Sequence, residues 1–179
     1  MSVKPNLIYL FTDQQRASTI GCRNQENVHT PNLDALASEG TLFTHATCNT
    51  PVCTPSRASL LTGKYALNAR CVVNDLRLPE EERSIADALK GQGYRYGYVG
   101  KWPLDGISRH QFTPPGRRRH GFDDYWAAYN CNHNYFDCKW YEDADPTLRR
   151  AAGYDADVQT DQAISFVARH CDEPFCLFV

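Results

Sequence analysis

Three short stretches of the sequence carry side chains whose types and spacing could do chemistry. The first is Cys53-Thr54-Pro55-Ser56-Arg57, followed by Ala58-Ser59-Leu60-Leu61-Thr62-Gly63. With Cys53, Pro55, Ser56 and Arg57 held fixed, ordinary residue usage gives such a match in on the order of one chain in a thousand. The stretch sits where a loop turns into a helix, so its backbone N–H groups could face an anion beside the thiol. The plain alternative is a surface helix start with an incidental cysteine. The second stretch is the polar cluster Thr12-Asp13-Gln14-Gln15-Arg16. It follows a nearly continuous apolar run, Leu7 to Phe11, that reads as a buried parallel strand, and ligand groups gather just past the carboxyl ends of such strands. The third is Gly100-Lys101-Trp102, directly after a strand-like run from Tyr96 to Val99.

The elements that must position these residues follow from local signals. Thr30-Pro31 reads as an N-cap with proline at the first helical position. Leu33, Leu36 and Ala37 then share a helical face, and Gly40 stops the helix. A second helix starts near Pro55, puts Ala58 and Leu61 on one face, and ends at Gly63. Pro79-Glu80-Glu81-Glu82 is an acidic helix-start signal; Ile85, Ala86 and Leu89 follow at helical spacing, and Gly91 and Gly93 terminate the segment. Residues 105 to 150 read as loop-rich and aromatic. Asp155 to His170 reads as a helix with a stripe of Val158, Ile164, Val167 and Ala168. Pro174 breaks it, and Phe175-Cys176-Leu177-Phe178-Val179 is strand-like. The order strand, helix, helix, helix, strand, helix, strand predicts an α/β fold with a mostly parallel sheet sandwiched by helices. Because the chain stops inside its last apolar run, it reads as the front piece of a longer protein.

Composition bounds the remaining possibilities. A chain of 179 residues corresponds to about one domain and can bury roughly 70% of its unfolded surface. The 42% apolar and 22% charged content excludes disordered, collagen-like and coiled-coil classes. No apolar run approaches the ~20 residues that span a bilayer. A net charge of -2 supplies no basic field for nucleic acid or an anionic membrane, so neither is expected as a partner. Met1-Ser2-Val3-Lys4-Pro5 opens no signal-peptide core, which predicts a cytoplasmic protein with mostly reduced thiols. The eight cysteines contain no C-x2-C pair, which argues against structural zinc. Apart from Cys53 they read as small buried side chains.

The sequence resembles the type I sulfatases of the alkaline phosphatase superfamily. The matching stretches run in that family's order: Asn6-Leu7-Ile8 through Thr12-Asp13-Gln14, Thr30-Pro31-Asn32-Leu33-Asp34 with Leu36-Ala37 and Gly40, Cys53-Thr54-Pro55-Ser56-Arg57, Gly100-Lys101-Trp102, His120-Gly121-Phe122-Asp123-Asp124-Tyr125-Trp126, and Pro174 to Val179. The resemblance covers essentially the whole chain and implies that residues 1–179 are the N-terminal part of a sulfatase catalytic domain. It implies an alkaline-phosphatase/sulfatase-like fold, incomplete at the C-terminus, and sulfuric ester hydrolysis. Cys53 would be oxidised after translation to formylglycine by a formylglycine-generating enzyme that reads Pro55 and Arg57. One hydroxyl of the hydrated aldehyde would attack sulfur, the alcohol would leave, and the second hydroxyl would expel sulfate. A plain serine would leave a stable sulfate ester, because it has no second hydroxyl to eliminate.

The resemblance assigns further roles residue by residue. Asp13, Gln14 and the modified Cys53 would bind Ca2+ or Mg2+, as hard oxygen ligands do. Arg57 would hold the nucleophile's oxygen, and Lys101 would meet the sulfate as a point charge. The plain alternatives are a turn cap for Asp13, a solvated helix-face arginine and a surface lysine. Two positions depart from the pattern. Gln14 stands where many members carry a second Asp, and a glutamine oxygen ligates without charge. Pro103 stands where the family has a histidine that contacts the sulfate or the nucleophile, which predicts reduced activity. The remaining metal ligands would lie beyond Val179, so the fragment is expected to be inactive alone. The substrate would be a small-molecule or carbohydrate sulfate ester. A phosphonate or phosphodiester hydrolase of the same superfamily, or a non-catalytic remnant, are the competing readings.

Two weaker signals remain. Arg117-Arg118-Arg119-His120 is a basic run that reads as a solvated loop or as an attractor of an anionic carbohydrate. Asn130, His133, Tyr135, Trp140 and Tyr141 read as loop aromatics packed on the sheet or as the lining of a sugar pocket. His29, His45, His110 and His170 have no ligand spacing and read as structural.

Overall fold

A computed structural model describes residues 4–179. Thr12–Pro51 forms one compact unit, and the chain before it forms a second together with Val52–Val179. Among the described residues of the larger unit, six strands make one sheet in the order β1-β6-β2-β3-β4-β5. These strands are β1 (Leu7–Tyr9), β2 (Arg95–Lys101), β3 (Tyr125–Tyr129), β4 (Asp137–Glu142), β5 (Asp145–Ala152) and β6 (Phe175–Phe178). β1 pairs with β6, β6 with β2 and β2 with β3, all parallel. β4 and β5 extend the sheet antiparallel beyond β3. Helices α2 (Cys53–Thr62), α3 (Ile85–Leu89) and α4 (Asp155–Arg169) complete the unit.

Side-chain alternation along β2 divides the core in two. Tyr98 points into a cluster with Ala58, Leu61, Ala86, Trp102, Phe122, Trp126 and Phe178 on the α2 and α3 side. Val99 points into the other cluster, with Tyr125, Ala127, Phe166, Phe175 and Leu177 on the α4 side. Helices therefore cover both faces of the parallel part of the sheet, as the predicted fold class requires. Gly97 leaves no room for a side chain on that second face. A Cβ there would lie 2.9 Å from Leu177 Cδ1 and 3.0 Å from Phe166 Cε2. Gly97→Ala is expected to cost about 1–3 kcal/mol through this overpacking. At this chain size each kcal/mol lowers Tm by about 2–4 °C, which thermal unfolding would measure.

Several local expectations need correction. Residues 105–150 are loop-rich as expected, but they also contain β3, β4 and most of β5, three strands the sequence did not predict. β3 is buried on both faces and shows no alternation. β4 carries a register shift between Trp140 and Glu142 that breaks its period of two. β5 contains Pro146, which an edge strand tolerates. The acidic Pro79–Glu82 stretch forms a turn closed by Glu82 N–H to Pro79 O at 2.9 Å, and Glu82 pairs with Lys64 and Arg70. The helix starts later because Ser84 and Asp87 form a capping box. Helix α2 starts at Cys53, two residues before Pro55. In α4, Phe166 is buried and Ile164 is exposed, so the apolar stripe is rotated from the predicted one.

The smaller unit contains α1 (Pro31–Glu39). Thr30 precedes it but makes no side-chain cap. Its hydroxyl instead accepts the Gly21 N–H at 2.7 Å and donates to Asp34 Oδ1 at 2.9 Å, so it ties the helix to the preceding turn. Gly40 does close the helix, through its N–H to Leu36 O at 2.9 Å. Leu33 and Leu36 remain exposed. Among the described residues, no helix is long and apolar enough to cross a membrane.

Candidate active site

Lys101 is the last residue of β2, at the carboxyl edge of the parallel sheet. Its Nζ lies 3.1 Å from Cys53 Sγ. Cys53 is the first residue of α2, and the Thr54 hydroxyl donates to Pro103 O at 2.7 Å. That bond ties the start of α2 to the loop leaving β2. Tyr98 OH donates to Lys101 O at 2.6 Å and fixes the backbone of the strand end. The thiol and the ammonium are thus held together from both sides.

The N-terminus of α2 offers less to an anion than its sequence suggests. The Thr54 N–H goes to Asn74 Oδ1 at 3.0 Å, Pro55 has no N–H, and the Ser56 N–H goes to Val52 O at 2.9 Å. Any anion at this end must therefore rely mainly on side chains. Arg57 sits one turn after Cys53 and is buried, with 7% of its surface exposed. Its guanidinium lies 4.7 Å from the centroid of the Phe11 ring. A solvated helix-face arginine does not describe it. Asp13 and Gln14 belong to the other compact unit. Both are exposed in a bend, with Gln14 in the left-handed region at φ 58°.

A cleft of about 460 Å³ opens at Cys53, lined by Thr54, Asn74, Lys101, Pro103 and Asn130, with Asp75, Arg109, Cys131 and His133 completing its wall. Pro103 faces it with no side-chain donor. Arg109 donates to both Asp75 oxygens at 3.0 and 2.8 Å. That pair lowers the carboxyl pKa of Asp75 and raises that of Arg109, to which the Cys131 and Cys53 sulfurs also contribute. His133 Nε2 lies 3.1 Å from Cys131 Sγ. Asn74, Asp75, Arg109 and Cys131 carry no linear motif, and only the fold brings them to Cys53.

The weaker signals resolve differently. The basic run is neither a solvated loop nor a free patch. Arg117 pairs with Asp87 at 2.7 Å, and Arg118 pairs with fully buried Asp105 at 2.5 Å. Arg119 is buried, donates to Thr113 O and stacks on Trp126 at 4.6 Å. Burial pulls its pKa down to about 10. His120 is buried, with Nδ1 3.1 Å from Glu82 O, and burial lowers its pKa. Of the aromatic stretch, Asn130 and His133 reach the Cys53 cleft. Tyr141 packs on Tyr129 and Phe112, Trp140 on the α4-side core, and Tyr135 is exposed. Cys53 is half-buried; of the other seven cysteines, Cys71, Cys138 and Cys176 are buried as expected, whereas Cys22 and Cys131 are half-buried and Cys48 and Cys171 are exposed. Burial pushes the Cys71 and Cys176 thiols up to about 11, so they are poor nucleophiles.

Comparison with known proteins identifies the family. The sulfatase family profile matches residues 5–179. The chain is 43% identical over 178 residues to an ulvan-active sulfatase of Formosa agariphila, covering 98% of this chain and 34% of that protein. It is 30% identical to human N-acetylgalactosamine-6-sulfatase, covering 97% of this chain and 38% of that one. The structure aligns with the yidJ sulfatase of Bacteroides fragilis at a TM-score of 0.92 and 32% identity, over 98% of this chain and 43% of that one. It also aligns at a TM-score of 0.81 and 30% identity, over 98% of this chain and 34% of the other, with a structure in complex with its substrate D-glucosamine-2-N,6-O-disulfate. The chain belongs to the sulfatase family and has the alkaline-phosphatase-like fold of those enzymes. It spans about a third of the length of the curated relatives it matches.

Proposed function

We propose that the parent protein hydrolyses sulfate esters through Cys53 after its oxidation to formylglycine, and that residues 1–179 are the N-terminal part of the catalytic domain. The contact of Lys101 Nζ with Cys53 Sγ, at 3.1 Å in an open cleft, carries this reading. The hydrated aldehyde supplies a nucleophilic oxygen and a second hydroxyl through which sulfate can leave. Lys101 holds sulfate oxygens as a point charge close to that nucleophile. Arg57 supplies a second, buried positive charge one turn along α2, where low exposure strengthens its field.

Asp13 and Gln14 bring oxygen donors of the kind Ca2+ and Mg2+ take, with the hydrated residue 53 as a third. Ca2+ takes about 6–8 oxygens, so these donors are too few by themselves. Among the described residues, no group of three His, Cys, Asp or Glu side chains is placed to hold a metal ion. Because the chain spans about a third of the length of its curated relatives, we assign the other ligands to the rest of the parent protein, and residues 1–179 are inactive alone. The cation would balance charge on the sulfate as a Lewis acid. The modifying partner is a formylglycine-generating enzyme. The substrate is a carbohydrate sulfate ester, as the names of the relatives suggest.

Assays of the parent protein with matched aryl sulfate and aryl phosphonate esters test the reaction class. Sulfate is expected to be the faster substrate; faster phosphonate turnover would move the protein to the alternative hydrolase class. Pro103→His in the same assays is expected to raise kcat by about tenfold or more, because it adds a donor at a position of the wall that has none. The Thr54 bond to residue 103 uses a backbone oxygen and survives the change.

A further inference from the structure

The cleft at Cys53 has a part that the proposed reaction at sulfur does not use. Cys53 and Lys101 account for one end; Asp75, Arg109, Cys131 and His133 stand in the wall beyond them. We propose that Arg109, clamped by Asp75, and His133, held by Cys131, form the subsite for the leaving alcohol, and that this subsite takes a polyhydroxylated ring. The inference rests on the sulfate-ester reading above and adds the residues that recognise the leaving group.

Charge and hydrogen-bonding type support it. A subsite for a second anion would present donors and net positive charge. Here the Arg109 charge is matched by Asp75 through two hydrogen bonds, at 3.0 and 2.8 Å. What remains is a mixed wall of carboxylate acceptors, guanidinium donors and an imidazole that can do either. A hydroxyl is both donor and acceptor, so a ring bearing several hydroxyls fits such a wall better than a second sulfate or carboxylate does.

The supports of both residues are rigid. Asp75 is held in the left-handed region at φ 65°. The loop carrying Arg109 is pinned by buried Asp105, which takes Arg118 in two bonds at 2.6 and 2.5 Å and the Thr113 hydroxyl at 2.8 Å. The turn carrying His133 begins at Asn130, which is 3% exposed and donates to Ser108 O at 3.0 Å. Asn132 then donates to Asn134 O at 3.0 Å and Asp137 O at 2.9 Å. Wall residues on pinned loops lose little entropy when a ligand docks, which is what recognition by hydrogen bonds needs.

The test compares the parent protein, modified at Cys53, with its Arg109→Ala, His133→Ala and Asp75→Asn variants. Each is assayed on a sulfated monosaccharide and on nitrophenyl sulfate. Each variant is expected to lower kcat/KM for the saccharide by about 10–100-fold, mainly through KM, and to raise the nitrophenyl-to-saccharide ratio at least about tenfold. His133→Gln is expected to recover part of the loss, and unchanged melting temperatures would show that folding is intact. Equal losses on both esters, or no loss on the saccharide, would overturn the subsite while leaving the reaction class standing. A wild-type parent that hydrolyses neither ester would overturn the reaction class itself, and the subsite with it.

Discussion

Replacing Cys53 with alanine is expected to lower kcat/KM for a sulfate ester by at least about ten-thousandfold in the parent protein, because it removes the thiol whose oxidation yields the aldehyde and its nucleophilic hydrate. The serine variant separates this account from simple thiol catalysis. A serine hydroxyl can accept the sulfuryl group but has no geminal partner with which to expel it. Cys53→Ser is therefore expected to release at most one equivalent of alcohol and to stop with the ester on the protein. Rapid-quench measurement of alcohol and sulfate would check both statements. Steady release of sulfate by the serine variant would contradict them. Folding is a minor concern, since residue 53 begins its helix and the Thr54 bonds to Asn74 and Pro103 are made by its neighbour.

The second large effect belongs to Lys101. Its ammonium stands 3.1 Å from the Cys53 sulfur, and the α2 N-terminus has few N–H groups to substitute for it. Lys101→Ala is expected to lower kcat by about a hundredfold to a thousandfold, the scale for losing one preorganised charge at a developing anion. Lys101→Arg is expected to restore little, because a planar fork cannot occupy the place of a compact point charge. The strand end keeps its geometry in both variants, since Tyr98 bonds the backbone oxygen of residue 101. Steady-state kinetics beside thermal melts would check this. A melting temperature that fell in step with activity would assign Lys101 a structural role instead.

The residues the sequence exposes and those it hides differ for physical reasons. Cys53, Arg57 and Lys101 lie in short linear motifs at the start of a helix and the end of a strand, where local pattern and position in the fold coincide. β3 fell inside the stretch read as loop-rich, and β1 lies at the sheet edge with Ile8 and Tyr9 exposed rather than buried, but β1, β2 and β6 were legible as short apolar runs. β4 and β5 were not. Their pairing is antiparallel, bulged and partly exposed, so neither helical nor alternating periodicity marks them. The Arg117–Arg119 run shows the opposite failure. It has a strong composition signal, but its partners Asp87, Asp105 and Thr113 are distant in sequence or carry no pattern of their own. The capping box at Ser84 was readable in principle, as Ser-x-x-Asp before an apolar run, but the neighbouring acidic triplet masked it. Arg109 and Asp75 form a pair only because two loops converge on the carboxyl edge of the sheet.

Mass analysis of the peptide containing Cys53, after co-expression of the protein with a formylglycine-generating enzyme, tests the central claim most directly. An aldehyde, or its hydrate, is expected at residue 53, in proportion to the sulfate-ester hydrolysis of the preparation. Full activity with an intact thiol at that position would contradict it.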